Sequence, residues 1–185
     1  MAWIKCVEEK EATGKLKEHY KHIKRTRGKI ANILKVQSLN PDALKTHLDL
    51  YLTIMFGKSG LTRIQREMIA TVVSATNSCE YCTTHHGEAL LRLTKDTELV
   101  RQIKCDFNKV NLAREDYAML KYAVKLTTNP SELSLKDTEE LRQAGFKDID
   151  ILNINLITSY FNFVNRIALG LGVKFSQEEV KGYKY

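Results

Sequence analysis

At 185 residues, 43% hydrophobic and 28% charged, with a net charge of +7, the chain has the size and balance of one folded domain, or of two small halves packed as one, with a sizeable core. Two prolines and nine glycines leave little room for linkers, and no apolar run is long enough to span a bilayer. Met1-Ala2-Trp3-Ile4-Lys5 lacks the apolar stretch of a secretory signal, so a single cytoplasmic domain over residues 1–185 is expected.

Helical periodicity begins at about Glu8 and runs in a polar, weakly amphipathic stretch to Arg25, where Gly28 breaks it. Lys15, Lys17, Lys21, Lys24, Arg25, Arg27 and Lys29 crowd this region, opposed only by Glu18. Such a stretch is either a solvated helix face or an attractor of an acidic partner. Tyr20 is the one interleaved aromatic and no nucleic-acid motif follows, so nucleic acid is not expected as a partner. Ile30 to Ser38 predicts a short helix. Asn40-Pro41 is a helix start, with proline at the first position, and that helix runs to Gly57. Leu61 to Thr76 is the next, with Ile64, Met68, Val72 and Ala75 on its buried stripe. Glu67 lies at the margin of that stripe, either as a partly buried functional group or as an edge residue reaching solvent; spacing leaves both open.

Asn77 is a good N-cap and Glu80 stands where a capping-box acid belongs, which predicts a helix from Asn77 to about Leu93. That helix carries Cys79-Glu80-Tyr81-Cys82-Thr83-Thr84-His85-His86. At roughly 100° per residue, Cys79, Cys82 and His86 fall within about 60° of one another, with Leu90 and Leu93 continuing the stripe. His85 falls to one side, so His86 is the better partner for the sulfurs. A thiol in the first turn of a helix is favoured as thiolate by the backbone N–H groups, an argument that points to Cys79. In a reducing compartment a Cys-x-x-Cys pair is catalytic or metal-bound rather than a structural staple. Cys6 and Cys105 have no neighbouring ligand-type partner and read as structural.

Further helices are predicted from Thr94-Lys95-Asp96 through Ile103, from Asn111 to Thr128, from Ser134 to Gly145, and from Asp148 to about Leu169. Val173 to Tyr185 reads as a polar tail, an arm for a neighbouring subunit. The last long helix is apolar almost all round, which predicts burial, partly between subunits. Its polar stripe holds Asn155, Thr158, Asn162, Asn165 and Arg166. Asn162 and Arg166 either line a site cavity or join helices through a hydrogen-bond network. No alternating strand pattern occurs; the fold class is all-α, with eight or nine helices.

Glu67, eleven residues, Cys79, two residues, Cys82, three residues, His86 resembles the signature of the alkylhydroperoxidase D-like (AhpD-like) family, within the carboxymuconolactone decarboxylase-like superfamily. Arg66-Glu67-Met68-Ile69-Ala70, Val73-Ser74-Ala75 and His85-His86-Gly87 match too. Tyr160-Phe161-Asn162-Phe163-Val164-Asn165-Arg166 is similar to the subgroup of uncharacterised peroxidase-related enzymes. The likeness covers roughly residues 30–173. It implies an AhpD-like helical bundle and a peroxidase that reduces alkyl hydroperoxides through a dithiol/disulfide cycle. Cys82 would be the attacking thiol, Cys79 the resolving one, and His86 and Glu67 the proton relay. Tyr81, His85, Asn162 and Arg166 would line the pocket. It implies no bound cofactor or metal. The external reductant would be a dithiol, such as a lipoyl group on a carrier protein, and the assembly a homodimer or hexamer with no membrane partner. Family members can carry a second histidine between the cysteines; Tyr81 stands there in this chain.

Three other readings compete. Cys79, Cys82, His86 and Glu67 could ligate zinc, though ligands so closely spaced on one helix suit a tetrahedral site poorly. Decarboxylases of the superfamily use the fold without the cysteine pair. A redox-responsive binding or structural protein would keep the pair with little turnover.

Overall fold

The computed structural model describes residues 2–180. Its regular structure is ten α-helices and two short 3-10 turns, and no strand occurs among the described residues. The chain divides into two compact units, one from residues up to Thr53 together with those from Arg166 onward, the other Ile54–Asn165.

The first unit holds α1 (Gly14–Arg27), α2 (Asn32–Lys35), most of α3 (Pro41–Phe56) and the short α10 (Gln177–Val180). Helix α1 begins six residues later than its polarity suggested. It stops at Gly28, whose φ of 84° is the left-handed conformation that glycine reaches without steric cost. Its buried residues Leu16, Tyr20 and Ile23 pack with Ile30, Leu34, Leu44 and Leu48. Much of the basic stretch is engaged locally: Lys15 pairs with Asp42 and Lys24 with Glu9, while Arg27 lies over the Tyr51 ring. The described part of the C-terminal tail folds back on its own chain. Asn32 Nδ2 donates to the Lys174 carbonyl, Lys29 Nζ to the Glu178 carbonyl, and the Asn32 backbone N–H to Glu179. The predicted arm is therefore a docked segment as far as Val180, and its last five residues, 181–185, lie outside the described residues.

The second unit is built around α4 (Arg63–Thr76), which packs against α5 (Glu80–Thr94), α6 (Thr97–Cys105) and α7 (Arg114–Thr128). A capping box starts α4. Thr62 Oγ1 accepts from the Gln65 backbone N–H at 3.1 Å, and Gln65 Oε1 accepts from that of Thr62 at 2.9 Å. Every residue from Arg66 to Ser74 is then buried, so α4 is surrounded. Ile64, predicted on the buried stripe, lies before this run and is 37% exposed. Arg66 itself is buried. Its guanidinium donates to the carbonyls of Leu61, Ile54 and Gly57, tying the end of α3 and the following turn to α4. Helices α8 (Leu135–Gln143) and α9 (Asp148–Gly170) complete the order, and α9 crosses out of this unit after Asn165. Ile154, Ile157 and Phe161 of α9 are buried, but Ile149, Leu152, Leu156 and Phe163 are 40–57% exposed. No described helix is long and apolar enough to cross a membrane.

Candidate active site

The connection between α4 and α5 decides where the sulfurs lie. Helix α4 closes with the Ser78 N–H on the Ala75 carbonyl and the Cys79 N–H on the Ser74 carbonyl, both at 2.9 Å. This is a Schellman closure, and the residue in its left-handed position is Ser78, at φ 55°. Asn77 therefore ends α4 rather than starting α5, and Cys79 is the N-cap of α5. The sequence placed this boundary two residues early because Asn77 suits either role.

Cys79 and Cys82 are 1% and 2% exposed, and both are unbonded thiols. The Cys82 S–H donates to the Cys79 sulfur, lowering the Cys79 pKa to about 7 against the opposing effect of burial. The backbone N–H groups of Cys82 and Tyr81 and the Asn165 side chain add to the lowering, as expected for a sulfur at a helix start. Donation to Cys79, then burial, hold Cys82 well above an ordinary thiol. Of the two sulfurs, the one whose pKa is lowered is Cys79, at the helix start.

Glu67 is fully buried, which answers the question its spacing left open. Its Oε2 accepts from His86 Nδ1 at 2.6 Å, and its Oε1 pairs with Arg63 Nη2 one turn earlier on α4. Arg63 also donates to the Met55 carbonyl and lies over the Phe56 ring. A carboxylate that accepts from Nδ1 fixes the ring's tautomer. The ring also packs edge-on against Phe161, centroids 4.5 Å apart.

Tyr81 is buried and stacks on His85, centroids 4.3 Å apart, while His85 Nδ1 donates to the Tyr81 carbonyl. Asn162 joins a hydrogen-bond network with Asn77, Asn165 and Thr127. Arg166 is exposed and belongs to the first unit. Leu90 is buried as expected, but Leu93 is 43% exposed. Of the remaining cysteines, Cys105 is exposed and Cys6 partly buried. Two residues escaped the sequence reading. Arg63 could have been found from its place four residues before Glu67. Asn165 stood in the polar stripe of α9, but nothing in the spacing tied it to the sulfurs. Among the described residues no group of three or more His, Cys, Asp or Glu converges where a metal ion could sit.

An all-α fold with a Cys-x-x-Cys at a helix start and a buried Glu–His pair on the adjoining helices defines the AhpD-like class. The carboxymuconolactone decarboxylase family matches over residues 41–102, the span that carries Glu67, Cys79, Cys82 and His86. An uncharacterised peroxidase-related protein from Silicibacter sp. TM1040 is 32% identical, with a TM-score of 0.82 over 89% of this chain and 86% of that one. The AhpD-core peroxidase-related protein from Ralstonia eutropha JMP134 is 27% identical, with a TM-score of 0.87 over 97% and 94%. The debrominase Bmp8, solved as a variant with 2,3,4-tribromopyrrole, shares the fold at 18% identity and a TM-score of 0.79, over 94% and 91%. No curated protein matches. The chain belongs to the alkylhydroperoxidase D-like, carboxymuconolactone decarboxylase-like superfamily.

Proposed function

We propose that this protein is a thiol-dependent peroxidase that reduces alkyl hydroperoxides through a Cys79/Cys82 dithiol–disulfide cycle. The observation that carries this reading is two buried free thiols at the start of α5, the helix that also carries His86 held by Glu67. The Cys79 thiolate attacks the distal oxygen of ROOH. The O–O bond breaks, ROH leaves with a proton delivered by His86, and Cys79 becomes a sulfenic acid. The Cys82 thiol then condenses with it, forming the S–S bond and releasing water. An external dithiol, such as a lipoyl group, reduces the disulfide by exchange and is itself oxidised. Family resemblance assigns the attack to Cys82; the lowered pKa of Cys79 favours Cys79, because the thiolate is the nucleophile.

The exposed Lys17 and Lys21 of α1 would suit an acidic carrier of that dithiol. A cytoplasmic location fits a cycle that must be re-reduced. The exposed apolar residues of α9, Ile149, Leu152, Leu156 and Phe163, support a homo-oligomer. The burial of both sulfurs supports a second reading, a redox-responsive protein with little turnover.

The test is thiol counting and mass spectrometry after one equivalent of cumene hydroperoxide. The wild type is expected to lose both thiols as a Cys79–Cys82 disulfide. Cys82→Ala should stop at a sulfenic acid on Cys79, trapped by dimedone; a sulfenic acid on Cys82 in the Cys79→Ala variant alone would return the attack to Cys82. Disulfide formation with diamide but not with peroxide would favour the redox-responsive reading. Thiols that persist through excess of both oxidants would refute the cycle.

A further inference from the structure

Three asparagines form a chain of amides that ends at the sulfurs. Asn162 Nδ2 donates to the Thr158 carbonyl at 3.1 Å and to Thr127 Oγ1 at 3.0 Å. A backbone carbonyl can only accept, so the Asn162 nitrogen must face it and the Asn162 oxygen must face Asn77. Asn77 Nδ2 then donates to two oxygens, Asn162 Oδ1 and Asn165 Oδ1, each at 3.0 Å. Asn165, fully buried, is left with its amide nitrogen to give. That nitrogen donates to Ser74 Oγ at 3.1 Å, and the side chain is within hydrogen-bonding reach of both the Cys79 and Cys82 sulfurs. Amide orientation is usually ambiguous. Here a chain anchored on a carbonyl sets it for all three side chains.

We propose that Asn165 is a positioning residue of the dithiol, its amide N–H aimed by Asn162 and Asn77 so that the sulfurs always meet a donor and never an acceptor. The inference rests on the peroxidase reading for the reaction it serves, but the donor itself can be tested without peroxide. A donor locked toward the sulfurs favours the thiolate over the thiol. It also favours the reduced pair over the uncharged disulfide, so it makes the disulfide easier to reduce. The backbone turn helps: the Ser74 carbonyl holds the Cys79 N–H while the Ser74 hydroxyl holds the Asn165 amide. The titratable side chains on the two helices that flank the turn are Arg63, Arg66 and Glu67 of α4 and Glu80, Tyr81, Cys82, His85, His86, Glu88 and Arg92 of α5, with Tyr122 on α7 and Tyr160 on α9. Of these, Cys82 alone perturbs Cys79.

The experiment is the pH dependence of Cys79 alkylation by iodoacetamide on the full chain, mapped by peptide mass spectrometry between pH 5 and about 9.5, a range that brackets an ordinary thiol. Asn165→Ala is expected to raise the midpoint and to slow alkylation at pH 7 roughly tenfold, the scale of one charge-assisted hydrogen bond. Asn165→Asp, equal in shape but without the donor, should raise it further. Equilibration with glutathione buffers should show a disulfide harder to reduce in Asn165→Ala. Asn77→Ala, which releases the amide's orientation without touching a sulfur, should move the midpoint the same way by less. Folding is checked by far-UV circular dichroism and a cooperative melt. A folded Asn165→Ala with an unchanged midpoint overturns the proposal. If Asn165→Ala does not fold, an unchanged midpoint in Asn77→Ala overturns it, and a raised one supports it. A wild type inert to hydroperoxide but with an Asn165-dependent midpoint removes the peroxidase reading and leaves the donor standing.

Discussion

Single residues carry the charges that matter here. The Cys82 S–H is the largest influence on Cys79, so its removal should be visible on the thiolate. In Cys82→Ala the alkylation midpoint of Cys79 should rise from about 7 toward the ordinary thiol value near 8.5. The sign follows from losing a donor to the charged form. A midpoint that stays near 7 would mean the helix start and Asn165 suffice without Cys82. Arg66 works in the opposite way, as a buried cation whose partners are all carbonyl oxygens. Arg66→Met fills the space but strands those acceptors at the α3–α4 turn. It should lower stability by about 3 kcal/mol, read as a lower urea midpoint with an unchanged m-value.

Among the elements, the α4–α5 connection does the most with the fewest residues. Two residues, Asn77 and Ser78, separate the end of α4 from the N-cap of α5, and a positive φ at Ser78 makes the reversal possible. A side chain in that conformation costs about 1 kcal/mol relative to glycine. Ser78→Gly should therefore raise the melting temperature by roughly 2–4 °C, and Ser78→Val should lower it. A lower melting temperature for Ser78→Gly would show that the serine side chain contributes more than the turn costs. The apolar residues left uncovered on α9 make a prediction of the same kind. Leu156→Glu should shift the protein to smaller species in sedimentation at micromolar concentration, with far-UV circular dichroism unchanged. A monomeric wild type would remove the assembly from the proposal.

Across the whole molecule, pH acts on each unit through a different group. In the first unit His47 is buried, with Nδ1 3.0 Å from Gln37 Oε1, and burial lowers its pKa to about 4. An unfolded histidine binds its proton near 6.5, so between these values the unfolded chain holds more protons than the folded one. Stability from this group is complete above about pH 6.5, falls as the pH drops through the window, and levels off near pH 4. The loss is on the order of 3 kcal/mol, and His47→Gln, which keeps a donor for Gln37, should flatten it in urea titrations at pH 7 and 4.5. In the second unit the Cys79 thiolate follows the same sign at higher pH: its stabilisation is present above the unfolded thiol value and is lost as the pH falls through about 7.

Much of this was legible in the chain itself. Periodicity of 3.6 and the punctuation at Gly28, Pro41 and Ser134 sufficed for an all-α fold and most helix spans, because helix formation is governed by neighbours three and four residues apart. The pattern Glu67, Cys79, Cys82, His86 sufficed for the superfamily. Local rules misread the ends of elements, where two are in competition: Asn77 suits a helix start and a helix end equally, and only the closure of α4 onto Cys79 chose between them. Spacing alone also left the burial of Glu67 open, since exposure depends on what packs against a helix rather than on the helix. The tertiary structure alone brought Asn165 to sulfurs more than eighty residues earlier, a distance over which no periodic signal survives. It also set the direction of the amide chain, because that direction depends on which carbonyl lies at its far end.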